Sequence, residues 1–197
     1  MRVLNLGCGT GKCPPRTKVS DSDDVVGVDI DEASLAIARQ SFPNRTFQYA
    51  RGEALPFPDA SFDRVISVVA LPYMDIPKTL AEVRRVLVPG GTVFFSVHAF
   101  RFTLSELRKA LPRPVPTLYR LFVMLNGLWF YLTGRVLTVA GRPESFQTKR
   151  GLQRAMARAG FVDLVFSRPD GRLIVEGRRA PVESFSYQAS SPRVTGY

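Results

Sequence analysis

The sequence predicts an α/β protein with a doubly wound, mostly parallel sheet. Short β-branched runs alternate with helical patterns through the first half of the 197-residue chain, as in parallel strands joined by crossover helices. The run "RVISVVAL", Arg64–Leu71, is almost entirely apolar, which favours a central strand buried on both faces. Near the end of the chain, two strand patterns flank Pro169-Asp170-Gly171, and this spacing predicts an antiparallel hairpin.

The other elements follow in order along the chain. Strands are predicted at Val3–Leu6, Val25–Asp29, Arg45–Ala50, Thr92–Phe100, Phe161–Ser167 and Arg172–Arg179. Helices are predicted over Asp31–Phe42, from Ile76 to Pro89, over Leu104–Leu111 and over Lys149–Gly160, with Asp31 and Thr148 as N-caps. The segment "PRPVP", Pro112–Pro116, is predicted to be an extended linker.

The alternation breaks after Phe100 and resumes near Gln147. We therefore expect one domain over residues 1–180, with residues 100–147 inserted as a helical lid. The end of the chain, residues 181–197, mixes Ser, Pro and Gly without period and is predicted to be disordered.

The net charge of +10 lies in the second half of the chain. Residues 1–98 hold 11 Lys or Arg and 11 Asp or Glu, whereas residues 99–197 hold 16 and 6. This asymmetry indicates a surface that faces a membrane, a nucleic acid or an anionic substrate, although a solvated basic face would explain it too.

Cysteine usage and apolar runs indicate a cytoplasmic protein. Cys8 and Cys13 lack the spacing of zinc sites or disulfide frameworks, so we expect reduced thiols and no metal site. The strongly apolar, charge-free stretch Leu121–Gly134 is shorter than the roughly 20 residues that span a bilayer. The first residues resemble a strand rather than a signal sequence.

A glycine-rich turn follows the first predicted strand. Gly7, Gly9 and Gly11 allow positive φ and close approach of a ligand, and Asp29 ends the next strand, where a carboxylate can accept ribose hydroxyls. Dinucleotide sites use G-x-G-x-x-G, whereas the spacing here is G-x-G-x-G and Pro14-Pro15 spoils the helix start. A nucleoside ligand without phosphate fits this turn better than a dinucleotide.

Four ordered segments resemble class I S-adenosylmethionine-dependent methyltransferases, in the branch of the ubiquinone and menaquinone biosynthesis enzymes. They are "VLNLGCGTG", "VVGVDID", "GEALPFPDASFDRVISVVALPYM" and "EVRRVLVPGGTVFFSVH". The resemblance implies a Rossmann-like fold, S-adenosyl-L-methionine as cofactor and a variable substrate lid. It also implies a set of cofactor-binding residues: Asn5, Gly7, Cys8, Gly9, Gly11, Asp29, Ile30, Gly52, Glu53, Val68 and Val69.

Three features depart from that family pattern. Asn5 and Arg51 stand where relatives often have Asp, and the helix after the first strand is damaged. We expect the turn still to bind the cofactor, because backbone amides and Asp29 make the contacts. We expect the affinity for the cofactor to be weakened.

Two residues are candidates for the reaction. His98, the only histidine, ends the fifth predicted strand and could take a proton from a hydroxyl of the acceptor, while Tyr73 could orient the substrate. Packing roles explain both residues as well.

The lid segment Leu121–Leu132 is apolar at ten of twelve positions and is flanked by Arg120 and Arg135. This composition favours a small apolar acceptor under the lid (a quinone, polyketide, terpenoid or lipid), peripheral contact with a membrane, or simple cover of the core.

Three alternatives stay open. An RNA methyltransferase would suit the basic second half, but no RNA-binding motif is present, and "ALPY" stands after the fourth strand where an RNA methyltransferase would have an "NPPY"-like amide and aromatic pair. A nucleic acid is therefore the less favoured partner. A non-catalytic scaffold would explain the three departures. A nicotinamide dehydrogenase is disfavoured by the glycine spacing. The sequence leaves the oligomeric state open.

Overall fold

The structure, a computed structural model, describes residues 1–98 and 100–181 of the chain, so the predicted disordered end lies outside the described residues apart from Pro181. Seven strands form one sheet in the order β3-β2-β1-β4-β5-β7-β6. Strands β1 to β5 run parallel, and β7 pairs antiparallel with both β5 and β6. The strands are β1 (Arg2–Leu6), β2 (Asp24–Asp29), β3 (Thr46–Tyr49), β4 (Phe62–Val68), β5 (Leu87–Val97), β6 (Phe161–Ser167) and β7 (Leu173–Arg179). This architecture confirms the predicted fold class.

Helices cover both faces of the sheet. They are α1 (Glu32–Ser41), α2 (Ile76–Val86), α3 (Phe100–Ala110), α4 (Pro114–Thr133) and α5 (Lys149–Arg158). Because neighbouring strand residues alternate between faces, Leu4 packs in the cluster of α2 and α5, whereas Val3 packs on the opposite face. Cys13 and Val19, from the loop after β1, pack against that opposite face.

The two predicted N-caps are correct. Asp31 caps α1 by accepting a hydrogen bond from the Ala33 amide, and Thr148 caps α5 by accepting one from the Gly151 amide. The predicted damage after the glycine turn is also present, since that segment forms only a short 3-10 turn, Pro15–Thr17.

Several predicted boundaries are wrong. The fifth strand spans Leu87–Val97 rather than Thr92–Phe100, and α3 begins at Phe100 rather than at Leu104. Helix α2 ends at Val86 rather than at Pro89, because the residue before a proline avoids helical backbone, and Leu87 is already extended and starts β5. The segment Pro112–Pro116 is not an extended linker throughout, because α4 begins at Pro114. A proline in the first helical turn loses no intrahelical hydrogen bond.

The segment predicted to be a lid, residues 100–147, consists of α3, α4 and the loop that follows them, and it is called the lid below. Asn126 lies fully buried in α4, and its amide nitrogen donates to the carbonyls of Leu137, Pro143 and Glu144 at 2.9, 3.2 and 3.0 Å. The Asn126 side-chain oxygen accepts from the Leu137 amide at 2.7 Å. One asparagine therefore holds the loop against the helix.

We expect the substitution Asn126→Ala to lower the free energy of unfolding by roughly 3 kcal/mol, because it leaves buried backbone groups without partners. Denaturant unfolding measures this loss. Asn44→Ala, at an exposed position before β3, is the control and should change stability little. Equal stability of Asn126→Ala and the wild type would show that the loop is held by other contacts.

Candidate functional site

A cavity of about 330 Å³ opens at the carboxyl edge of the sheet, where β1, β2 and β4 end. Parallel α/β sheets bind ligands at this edge. Eight of the predicted site residues line the cavity: Gly7, Asp29, Ile30, Gly52, Glu53, Val68, Val69 and Tyr73. The sequence did not single out Met74 and Ala70, which also line it.

The backbone of the glycine turn is fixed against β2. The amides of Gly7 and Cys8 both donate to the Val28 carbonyl, at 2.8 and 3.0 Å. Gly7 has φ +68°, and a Cβ at this position would lie only 2.1 Å from the Ala70 Cβ. No other residue fits there, since both the backbone angle and the space exclude a side chain.

Asp29 joins the turn to the end of β2. Its Oδ2 accepts from the Gly9 amide at 2.7 Å, and its Oδ1 accepts from the amides of Ile30 and Asp31 at 2.8 and 3.0 Å. A carboxylate offers about four lone-pair sites, so these three bonds leave room on Oδ2 for a further donor. Asp29 therefore keeps the capacity to accept a ligand hydroxyl.

The loop after β3 lines the cavity opposite Asp29. Glu53 accepts a hydrogen bond from the Asp75 amide at 2.8 Å, and its Oε2 lies 3.7 Å from Arg51 Nε. Glu53 thus ties this loop to the start of α2, and the Arg51 side chain is mostly exposed.

The strand β4 ends in a sharp turn at the cavity. Val69 has φ +67°, an unusual angle for a β-branched residue, and its amide donates to the Ser96 carbonyl at 2.7 Å. Such strained backbone is concentrated at ligand sites. Val68 and Val69 both face the cavity, as the resemblance implied.

Four predicted cofactor residues do not line the cavity: Gly9, whose amide donates to Asp29, and three residues beneath the turn. Asn5 is 2% exposed and lies beneath the turn, where its amide donates to the Lys12 carbonyl at 3.5 Å. Cys8 packs among Leu35, Ala38 and Phe47, and burial raises the pKa of its thiol to about 12. Gly11 also lies against Phe47. These residues support the turn from below, because their side-chain positions face the sheet and α1.

The two predicted reaction residues share a second cavity. Tyr73 and His98 line a nearly filled space of about 10 Å³ under the lid. Tyr73 lines the larger cavity as well and so forms the boundary between the two. The His98 ring stacks on Phe102 with 4.0 Å between ring centroids.

Burial and charge favour a neutral imidazole on His98. Burial is the main cause that lowers the pKa of His98, and the charge of Arg172 lowers it further. The charges of Glu106 and Glu144 oppose this shift. Burial and then Glu144 raise the pKa of Tyr73, so its hydroxyl stays protonated.

Sequence reasoning missed a polar cluster under the lid. Arg120 donates to Glu144 at 2.9 Å, and the Tyr119 hydroxyl donates to the same carboxylate. Gln147 is 4% exposed, donates to the Ser145 carbonyl at 2.7 Å and leaves its Oε1 without a hydrogen-bond partner. Glu144 and Gln147 both line the closed cavity, which therefore offers an acceptor.

Within residues 1–98 and 100–181, no group of three or more His, Cys, Asp or Glu side chains is placed to hold a metal ion.

Known proteins resemble this chain in sequence. Residues 4–95 match the family described as methyltransferase domain. Demethylmenaquinone methyltransferase of Symbiobacterium thermophilum is 38% identical over 182 residues, covering 82% of this chain and 68% of that protein. The Thermus thermophilus protein of the same name is 32% identical over 171 residues, covering 81% and 74%.

Other relatives are longer than the matched region. Malonyl-[acyl-carrier protein] O-methyltransferase of Erwinia pyrifoliae is 41% identical over 97 residues, covering 49% of this chain and 37% of that protein. The Tropheryma whipplei demethylmenaquinone methyltransferase is matched over 56% of its length. The chain thus spans roughly a third to a little over half of these two relatives.

Solved structures share the fold. An S-adenosylmethionine-dependent methyltransferase from Mesorhizobium loti superposes with a TM-score of 0.59 at 22% identity, covering 90% of both chains. A Pyrococcus horikoshii protein superposes with a TM-score of 0.60 at 22% identity, covering 91% of this chain and 81% of that one.

Because His98 is the only histidine, its ring protons can be titrated by NMR without assignment. We expect an apparent pKa below the ordinary value of about 6.5 in the folded protein, because burial and Arg172 disfavour the charged ring. In denaturant the same signals should titrate near the ordinary value. A folded-state pKa above that of the denatured protein would contradict the described surroundings of His98.

Proposed function

Because the chain belongs to the S-adenosylmethionine-dependent methyltransferases, we propose that it transfers a methyl group to a small apolar acceptor held under the lid. The observation that carries the proposal is the pair of cavities that meet at Tyr73. One is open and lined by Asp29, and the other is closed by the lid and lined by His98.

The open cavity fits S-adenosylmethionine. Asp29 would accept a ribose hydroxyl at Oδ2, Ile30 would contact the adenine, and the turn at Gly7 would lie along the methionine portion. The helix N-terminus that a pyrophosphate needs is absent after this turn, where the chain forms only the turn Pro15–Thr17. A ligand without phosphate does not need a helix N-terminus, so its binding is not weakened by the missing helix.

S-Adenosylmethionine would supply a methyl group on a sulfonium: a nucleophile of the acceptor would bond to the methyl carbon as the carbon–sulfur bond breaks, with S-adenosylhomocysteine as the leaving group. An enzyme accelerates such a displacement mainly by aligning the partners and excluding water. The lid excludes water from the second cavity, because this cavity is nearly filled when α3 and α4 lie over it. Tyr73, at the boundary, orients the acceptor toward the open cavity.

His98 acts as the base toward a hydroxyl of the acceptor. Its lowered pKa keeps the imidazole neutral near pH 7, so it can accept a proton there. The unpartnered Gln147 Oε1 would accept a second hydrogen bond from a polar group of the acceptor.

The closed cavity has room for no more than about one water molecule, so α3 and α4 must move to admit an acceptor. Its walls then favour a ring that bears a hydroxyl. Phe102, Val123 and Phe146 contribute apolar surface, while His98, Arg120, Glu144 and Gln147 contribute polar atoms. Three of the relatives described above are named demethylmenaquinone methyltransferase, and a reduced demethylmenaquinone combines an apolar ring with hydroxyls. This compound is therefore the first acceptor to test.

We expect Asp29→Ala to weaken binding of S-adenosylhomocysteine at least tenfold, because it removes an acceptor for the ribose and frees the Gly9 amide. Isothermal titration calorimetry measures the affinity. Asp21→Ala, an exposed carboxylate away from the cavity, is the control. Unchanged affinity in Asp29→Ala would remove Asp29 from the binding site.

We expect His98→Ala to lower kcat about 100-fold with a labelled methyl donor and reduced demethylmenaquinone, because the acceptor hydroxyl loses its base. The KM for S-adenosylmethionine should change little, since His98 does not line the open cavity. Equal kcat in the variant and the wild type would contradict a base role. Label transferred to RNA instead of the quinone would overturn the proposed acceptor class.

A further inference from the structure

One face of α4 carries an exposed stripe of leucines. The stripe consists of Leu118, Leu121, Leu125, Leu128 and Leu132, at alternating spacings of three and four residues. Their relative exposures are 66, 43, 67, 51 and 57%. Spacings of three and four place side chains on one side of a helix, so these leucines form a continuous apolar surface.

The stripe is exposed although α4 is firmly packed on its other side. Val123 and Phe130 are buried, and Asn126 binds the following loop through four hydrogen bonds. Gly127 lies so close to Phe146 that a Cβ would come within 2.1 Å of its ring. The helix therefore cannot rotate to bury the leucines without breaking these contacts.

The part of the chain that carries the stripe is strongly basic. Residues 100–158 hold eleven Lys or Arg and two Glu, a net charge of +9. Both acids are already used in ion pairs, Glu106 with Lys109 and Glu144 with Arg120, each at 2.9 Å. Arg113 before α4 and Arg135 after it are exposed.

This positive charge indicates which kind of partner would bind the leucine stripe. A second copy would bring the same net charge of +9 against the first, and like charges repel. An anionic lipid membrane has an apolar layer that the leucines can enter and negatively charged headgroups that attract the arginines. No helix in the described part of the chain is long and apolar enough to cross a membrane, so the helix would lie in the interface.

We propose that α4 docks in the plane of an anionic phospholipid membrane, with its leucine stripe inserted below the headgroups. Trp129 lies next to the stripe and is 43% exposed. Tryptophan side chains are enriched at membrane–water interfaces, so this residue suits a docked helix. This docking goes beyond the proposed methyl transfer, since it needs neither the cofactor nor the acceptor.

The fluorescence of Trp129 tests the docking directly, because it is the only tryptophan of the chain. We expect a blue shift of its emission, and pelleting of the protein, with phosphatidylglycerol vesicles, and much weaker effects with phosphatidylcholine. High salt should reduce binding to the anionic vesicles.

The variant Leu125→Gln/Leu128→Gln should bind anionic vesicles at least tenfold more weakly, with unchanged net charge. Ile37→Gln/Val165→Gln replaces two apolar residues of similar exposure, 50 and 62%, outside the lid and should bind like the wild type. S-Adenosylhomocysteine titrations confirm that each variant keeps its cofactor site, which separates this test from that of the proposed function.

Absence of vesicle binding by the wild type, or equal binding by the leucine variant, would overturn the proposal. So would a dimer in sedimentation experiments that dissociates in the leucine variant, since the stripe would then pair with a second copy. Tight binding to single-stranded RNA, with no binding to vesicles, would instead assign the basic surface to a nucleic acid.

Discussion

The hydrogen bonds of Asp29 hold the carboxyl edge of the sheet in a form that can bind a nucleoside. They connect the Gly9 amide of the turn after β1 to the end of β2, and the Val28 carbonyl fixes the same turn from beside it. These bonds form only if β1 and β2 end side by side. The parallel register of β1, from Arg2 to Leu6, with β2 brings the two strand ends together. The cavity, its glycine wall and the position of the Asp29 carboxylate all depend on this junction.

The lid places two different surfaces on one helix. The inner face of α4 packs over the cavity of Tyr73 and His98 and is held by Asn126, whereas the outer face presents five leucines to solvent. An apolar acceptor dissolved in a membrane would reach such an enzyme from the side of the outer face. Substrate chemistry and membrane docking would then be served by one element.

The sequence predicts what local chemistry determines. Positive φ at Gly7, the strand-end position of Asp29 and the caps at Asp31 and Thr148 all follow from short-range rules. The sequence could not place Asn5 and Cys8 below the turn, because the face that a side chain takes depends on strand register. The cluster of Glu144 with Arg120 was equally hidden, since its members meet only when the loop folds back on α4.

The central claim is that a nucleoside without phosphate binds at the junction of Asp29 with the glycine turn. Amide chemical shifts measured by NMR during titration with S-adenosylhomocysteine test it most directly. The structure predicts the largest changes at Gly9, Ile30 and Gly52, with none of similar size on adding NADH. Changes confined to the lid, or equal changes with NADH, would contradict the account.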